Sequence, residues 1–212
     1  LASSLLVVAC YDREVNCRRA AASAFQECVG RLGSFPHGLE ILAVADYYSV
    51  GNVSSAYLRV APFIASFPEY TGPLLDHLLM VKLRHWDKAL RSLAAMGLAA
   101  LAPVAAQQLA DSALPNLLGL VTSDILEVRT GAVLGTSELL PALAAAGVHS
   151  LDSNTGQKVT GVLDQLESAG MYRGKGGELM REASARFIEQ VAAAVGGSPV
   201  VPLLSFAPSK RH

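Results

Sequence analysis

Residues 124–132 read Asp-Ile-Leu-Glu-Val-Arg-Thr-Gly-Ala, and the fold turns on this stretch. An Asp in a tight turn can cap the helix that follows it, because its carboxylate accepts a backbone N–H left free in the first turn. Five residues on, Arg129 is long enough to reach the carbonyls or a carboxylate of a neighbouring turn. Ala132, three residues further, is small enough to let another helix approach. The same spacing recurs as Arg19-x-x-Ala22, Arg91-x-x-Ala94 and Arg181-x-x-Ser184. Asp12, Arg19, Arg91, Asp124, Arg129 and Arg181 are therefore expected to serve the architecture.

Working outward, apolar stripes at i, i+3, i+4 and i+7 run along the whole chain. Val15, Ala22, Phe25, Val29 and Leu32 form one, and Val53, Tyr57, Val60, Ile64 and Phe67 a second. Leu90 to Leu101, Val159 to Leu166 and Met180 to Val195 repeat the spacing, which lays a hydrophobic face along a helix. No stretch of similar length alternates with period two. Gly- and Pro-rich joints separate the stripes into pairs whose second members begin near Glu14, Asn52, Asp87, Leu126 and Gly177. These starts lie 38, 35, 39 and 51 residues apart. A period near 40 with two helices per unit predicts an all-α, right-handed α-solenoid of HEAT/armadillo-type pairs. The units run approximately 1–33, 38–68, 72–102, 104–147 and 154–196, with 197–212 as a truncated tail. The unit at Asn52 departs from the pattern, carrying Val53 and Ser55 but no Arg. The first unit is expected to lack most of its first helix, as if the chain were cut from a longer array.

Composition narrows the function. Of 212 residues, 51% are hydrophobic and 17% charged, too apolar and too sparsely charged for a disordered tail. The formal net charge of −1 supplies no general basic face for nucleic acid. The longest uncharged runs, 92–110 and 190–209, are Ala-rich or broken by Gly and Pro, which argues against a membrane span. Cys10, Cys17 and Cys28 have no C-x-x-C spacing; reduced thiols packed in a core are expected.

No constellation points to catalysis. Tyr172-Arg173-Gly174-Lys175-Gly176-Gly177 has the wrong spacing for a phosphate loop and no Ser or Thr after Lys175, so it reads as a turn. The five histidines show no metal-ligand spacing, and no G-x-S-x-G elbow occurs. A protein without its own active site, cofactor or metal is expected. Trp86, in Arg84-His85-Trp86-Asp87, is expected to pack against the next repeat; the competing reading is an exposed anchor beside charges. If the array contacts a partner, the polar starts of successive second helices are available: Arg13, Arg18, Lys88, Glu127 and Glu178, with Arg84 and Trp86 in the adjoining turn.

The segment Cys10 to Arg31, CYDREVNCRRAAASAFQECVGR, resembles the tubulin-folding cofactor D (tubulin-specific chaperone D) family. The likeness continues through FPHG (35–38), ADYYSVGN (45–52), FPEYT (67–71) and HWD (85–87), and returns at YRGKGGELMREA (172–183). The resemblance implies a cytoplasmic, cytoskeleton-associated chaperone, of which this would be a piece toward the C-terminal half. Its partners would be β-tubulin and the αβ-tubulin heterodimer, tubulin cofactors E and C, and an Arf-like small GTPase. Stimulation of GTP hydrolysis by tubulin would belong to the multi-cofactor complex, and no catalytic residue carries over to a position here. Repeat periodicity alone fits equally a generic HEAT adaptor, for instance in transport. The joint sequences separate the two, since a generic array has no need of those loops.

Overall fold

The structure, a computed structural model, describes residues 1–33, 35–148 and 151–196. It is 78% helical, and no strand occurs among the described residues. The helices are α1 (Ala2–Tyr11), α2 (Val15–Leu32), α3 (Gly38–Leu42), α4 (Val53–Ala65), α5 (68–82), α6 (Lys88–Ala100) and α7 (Ala102–Leu120). They continue as α8 (Leu126–Ala145), α9 (Ser153–Thr160), α10 (Val162–Ser168) and α11 (Gly177–Gly196).

The architecture is a helical solenoid. Its second helices α2, α4, α6, α8 and α11 start at Val15, Val53, Lys88, Leu126 and Gly177, each within a residue of its expected place. Four of them form a continuous layer in which α6 packs on α4, α8 on α6, and α11 on α8. The first helices make the other layer, with α1 against α5 and α7 against α9. Between the layers runs one core that includes Phe25, Tyr57, Ile64, Leu98, Val133 and Phe187. Each pair leaves an apolar face that only its neighbours cover, which is why the stripes come one per helix.

The second unit is irregular for a local reason. Its first helix, α3, has five residues, and α1 consequently packs directly on α5. Asp46 stops it from re-forming: its carboxylate accepts the N–H groups of Tyr48 and Ser49 at 2.9 and 2.6 Å, and the Ser49 hydroxyl bonds back to Val44 O. Such side-chain turns compete directly with helix hydrogen bonds. The first unit, by contrast, has a ten-residue first helix in α1, more than the sequence suggested.

Two prolines shape α4 and α7 in the same way. The Ala61 N–H bonds to Ala56 O and the Leu114 N–H to Leu109 O, five residues back, and a proline follows immediately at 62 and 115. A widened turn relieves the clash between the pyrrolidine ring and the carbonyl four residues earlier.

The thiols are not a core cluster. Cys10 is buried on α1, whereas Cys17 on α2 is exposed and Cys28 half-buried. The break at Asp12 to Glu14 places Cys10 on α1, apart from Cys17 and Cys28 on α2. No single described helix is long and apolar enough to cross a membrane; the apolar pair α6 and α7 is bent by 84°. Among the described residues no group of His, Cys, Asp and Glu could hold a metal ion.

Candidate protein-interaction site

Because paired helices run antiparallel, the turns between first and second helices gather on one edge of the array. Most of the singled-out residues sit there, and an arginine staple organises them. The third residue after the first of the second helix is Arg18 in α2, Arg91 in α6 and Arg129 in α8. In each case one guanidinium nitrogen donates to the two carbonyls five and six residues earlier. Arg18 reaches Asp12 O and Arg13 O at 3.0 and 2.9 Å, and Arg91 reaches His85 O and Trp86 O at 2.7 and 3.0 Å. Arg129 reaches Ser123 O and Asp124 O at 3.2 and 2.9 Å. These carbonyls lie where the chain leaves one helix for the next and have no partner of their own, so the charged donor satisfies them.

This corrects the sequence assignment at the first repeat. Arg18, expected to face a partner, is 3% exposed and staples its own turn, while Arg19, expected to be structural, is half-buried and reaches the neighbouring turn, its Nε donating to Tyr47 O at 3.4 Å. Arg19 also lays its guanidinium over the Tyr47 ring at 4.5 Å. The two are adjacent and chemically identical, so spacing to a small residue misassigned the register by one. Arg181 has the same offset as Arg19; it bonds Tyr172 O at 2.7 Å, closing a longer turn of the fifth repeat. Buried Met180 occupies the staple position there.

Arg18 also explains how the second repeat manages without an arginine. The corresponding residue is Ala56, whose unit leaves the carbonyls of Val50 and Gly51 without a staple. Arg18 supplies one from the neighbouring repeat, donating from Nε to Val50 O at 2.7 Å and from its other terminal nitrogen to Gly51 O at 2.8 Å. The guanidinium thus serves four carbonyls in two turns. In the third and fourth repeats the next turn has its own staple or a different shape, and Arg91 Nε and Arg129 Nε are buried without a partner. Burial pulls the proton affinity of Arg18 and Arg91 down, against the nearby carboxylates, but a guanidinium remains charged.

The capping side chains differ from one turn to the next. Asn52, Asp87 and Asp152 cap their helices, accepting from Ser55 N, Ala89 N, and Asn154 N with Thr155 N. Asp12 accepts from Glu14 N at 2.8 Å. Asp124 does not cap α8: the position before the helix is Ile125, with no side-chain cap, and Asp124 contributes its carbonyl to Arg129. Ser123 Oγ instead receives the Ile125 N–H at 3.3 Å.

The remaining candidates are spread along the edge. Trp86 is 66% exposed rather than packed on the next repeat, and Arg13 lies over its ring at 4.9 Å. The His85–Asp87 turn is held by Arg91 and by His85 Nδ1, which accepts the Asp87 N–H, so it does not depend on the indole, whose contacts are with Arg13 and the His85 ring. Arg84 bonds Leu79 O at 3.3 Å. Lys88 pairs with Glu182 of the fifth repeat at 2.6 Å, reaching past α8. Glu127 is half-buried and Glu178 exposed. Sequence reasoning missed Tyr47 and Tyr48, 48% and 82% exposed, which lie in the turn that the stunted α3 leaves behind.

The family-like joints meet one another. On the opposite edge, His37 of FPHG stacks on Phe67 of FPEYT with ring centres 4.1 Å apart, and Tyr70 donates to Pro36 O at 2.8 Å. On the turn edge, CYDREVNCRR supplies the arginine that closes ADYYSVGN, and HWD supplies the ring under Arg13. Loops that elsewhere in solenoids are free to vary are here mutually fitted.

The fold and its stapled turns thus define a scaffold of HEAT/armadillo-type repeats. A family model described as tubulin-specific chaperone D-like ARM repeats matches residues 1–39. Tubulin-specific chaperone D of Dictyostelium discoideum is 32% identical over 191 residues, 89% of this chain and 13% of that protein. Tubulin-folding cofactor D of Schizosaccharomyces pombe is 35% identical over 94 residues, 44% of this chain and 8% of that protein. The chain is a relative of tubulin-specific chaperone D, and it spans about an eighth of the length of the Dictyostelium protein. No solved structure matches it.

Proposed function

We propose that this chain is a segment of a tubulin-folding chaperone, acting as a protein-binding solenoid in the assembly of the αβ-tubulin heterodimer. Its partners on this reading are β-tubulin, cofactors E and C and an Arf-like small GTPase, in the cytoplasm. Stimulation of GTP hydrolysis by tubulin would belong to the assembled complex, with this segment holding components in place and contributing no catalytic group. The observation that carries the reading is the coincidence of the family-like motifs with the inter-repeat fits. The resemblance covers the fitted loops themselves as well as the helix periodicity. A generic adaptor would need the helices but not His37 on Phe67 or Arg18 across two turns.

Co-purification of the chain with αβ-tubulin, cofactor E, cofactor C and the small GTPase, each tested separately by size exclusion, checks this directly. Co-elution with at least one of them is expected. Failure with all four, for a chain that unfolds cooperatively and is therefore folded, would sink the proposal.

A further inference from the structure

The charges of this chain are segregated between its edges. Residues 12–19, 43–52, 82–91, 121–129 and 171–181 make up the turn edge and the starts of the second helices. They hold eleven Lys and Arg against seven Asp and Glu, in a chain whose formal charge is −1. All other described residues hold four against eleven. Three of the eleven cations, Arg18, Lys82 and Arg91, are buried, where their field is less screened by salt than that of a surface charge.

Orientation sharpens the asymmetry in the first three turns. The carboxylates of Asp12, Asp46 and Asp87 point into the backbone, each accepting N–H groups of its own turn. The guanidinium groups of Arg13 and Arg19 lie over the Trp86 and Tyr47 rings. A cation on an aromatic face keeps its in-plane N–H donors free for a ligand. Tyr48 beside them is 82% exposed. Arg19 gives its Nε to Tyr47 O at 3.4 Å and Arg13 Nε lies 3.8 Å from Glu14, so the exposed rings form a ridge rimmed by cations that keep their terminal N–H groups for a ligand.

We propose that this ridge docks an extended acidic polypeptide segment, whose carboxylates pair with Arg13 and Arg19 and whose apolar side chains lie on Trp86 and Tyr48. A polypeptide fits better than a nucleic acid: Glu14 and Asp124 are exposed on the same edge and would repel a continuous phosphate backbone, whereas spaced carboxylates can avoid them. The inference gives the partner chemistry of the chaperone reading above and stands on its own charge and geometry.

The test uses the full-length protein and fluorescence anisotropy with a labelled peptide of alternating Glu and Phe, against its Lys and Phe counterpart. Preferential binding of the acidic peptide is expected, largely lost at about 0.5 M salt, where charges are screened within a few ångströms. Trp86→Ala should weaken it about tenfold, the size of a hot-spot loss. Arg13→Glu with Arg19→Glu should weaken it further, and Arg13→Lys with Arg19→Lys should restore part of the affinity. Trp86→Ala removes an exposed side chain, so it reads the interface even if the charge reversals unfold the protein. Equal affinity for both peptides, indifference to Trp86→Ala, or tighter binding of duplex RNA than of the acidic peptide would each overturn the proposal. Capture of αβ-tubulin by the same variants separates the two readings. Peptide binding lost with tubulin capture intact supports the ridge while placing tubulin elsewhere.

Discussion

The joint between the first and second repeats and the joint between the third and fourth solve one problem in two ways. Both must bring second helices together while satisfying the carbonyls of the turn before them. At the first joint a single buried guanidinium, Arg18, bonds four carbonyls in two turns. At the later joint each turn has its own staple, and α8 meets the turn after α5 through bare backbone: a Cβ on Gly131 would stand 1.7 Å from Leu83 O. One joint is held by charge-assisted hydrogen bonds, the other by close contact. A repeat can therefore lose its arginine if its neighbour's arginine has somewhere else to reach.

The sharpest way to break the comparison is Arg18→Ala. Four carbonyls, one buried and three partly buried, would lose their donor at once, and the expected loss is about 3–5 kcal/mol, seen as a large fall in the thermal or urea midpoint. A loss no larger than that of Arg129→Ala would show that the two joints are equivalent after all. Next comes Gly131→Ala, expected to cost about 2–3 kcal/mol by forcing α8 away from Leu83, as overpacking does. The corresponding change at Gly119, whose Cβ would meet nothing within 4 Å, should be neutral or slightly stabilising in the same assay.

Arg91→Ala and Arg129→Ala should each cost about 1–2 kcal/mol, since each staple spans one turn and leaves Nε unpartnered in any case. Asp124→Ala should shift the midpoint by less than about 0.5 kcal/mol, because its side chain caps nothing, while Asp87→Ala should cost about 1 kcal/mol as a lost cap. Equal effects at the two aspartates would contradict the difference between these turns.

A pH effect tests the contact that the stunted α3 creates between α1 and α5. Burial, with help from Lys82, pushes the His77 imidazole down to about 4, and its ring stacks on Tyr11 at 5.8 Å. The unfolded chain takes up the proton at the ordinary value of about 6.5, so below that pH the unfolded state binds more protons than the folded one. The stability is complete above about pH 6.5 and falls progressively toward pH 4. His85, also lowered mainly by burial, adds in the same direction. His77→Phe should flatten the slope of the unfolding midpoint between pH 6.5 and 4.5, and an unchanged slope would remove His77 as its source.

How much of this was legible beforehand follows from the range of each interaction. Stripes such as Leu90, Ala94, Leu98 and Leu101 set helix type within a dozen residues, and Gly, Pro and Asn set the joints, so the helix starts could be read locally. Arg91 and Arg129 were legible because a staple reaches only five and six residues back. Arg18 was not, because two of its four acceptors lie 32 and 33 residues away and nothing in the local pattern distinguishes it from Arg19. The exposure of Trp86 was equally hidden: it depends on the neighbouring turn offering Arg13 in place of an apolar surface.

The sequence by itself determined an all-α repeat array, its period, its likeness to a tubulin chaperone and the absence of any recognisable catalytic motif, because each of these is written in spacing or in contiguous residues. Only the tertiary structure decided which arginine staples its own turn, that Asp124 caps nothing, that the second unit keeps a stub for a first helix, and that guanidinium groups and exposed rings share one edge. The reason is physical: periodicity is encoded by neighbours along the chain, whereas a buried donor or an exposed ring is defined by what the adjacent repeat places within about 4 Å of it.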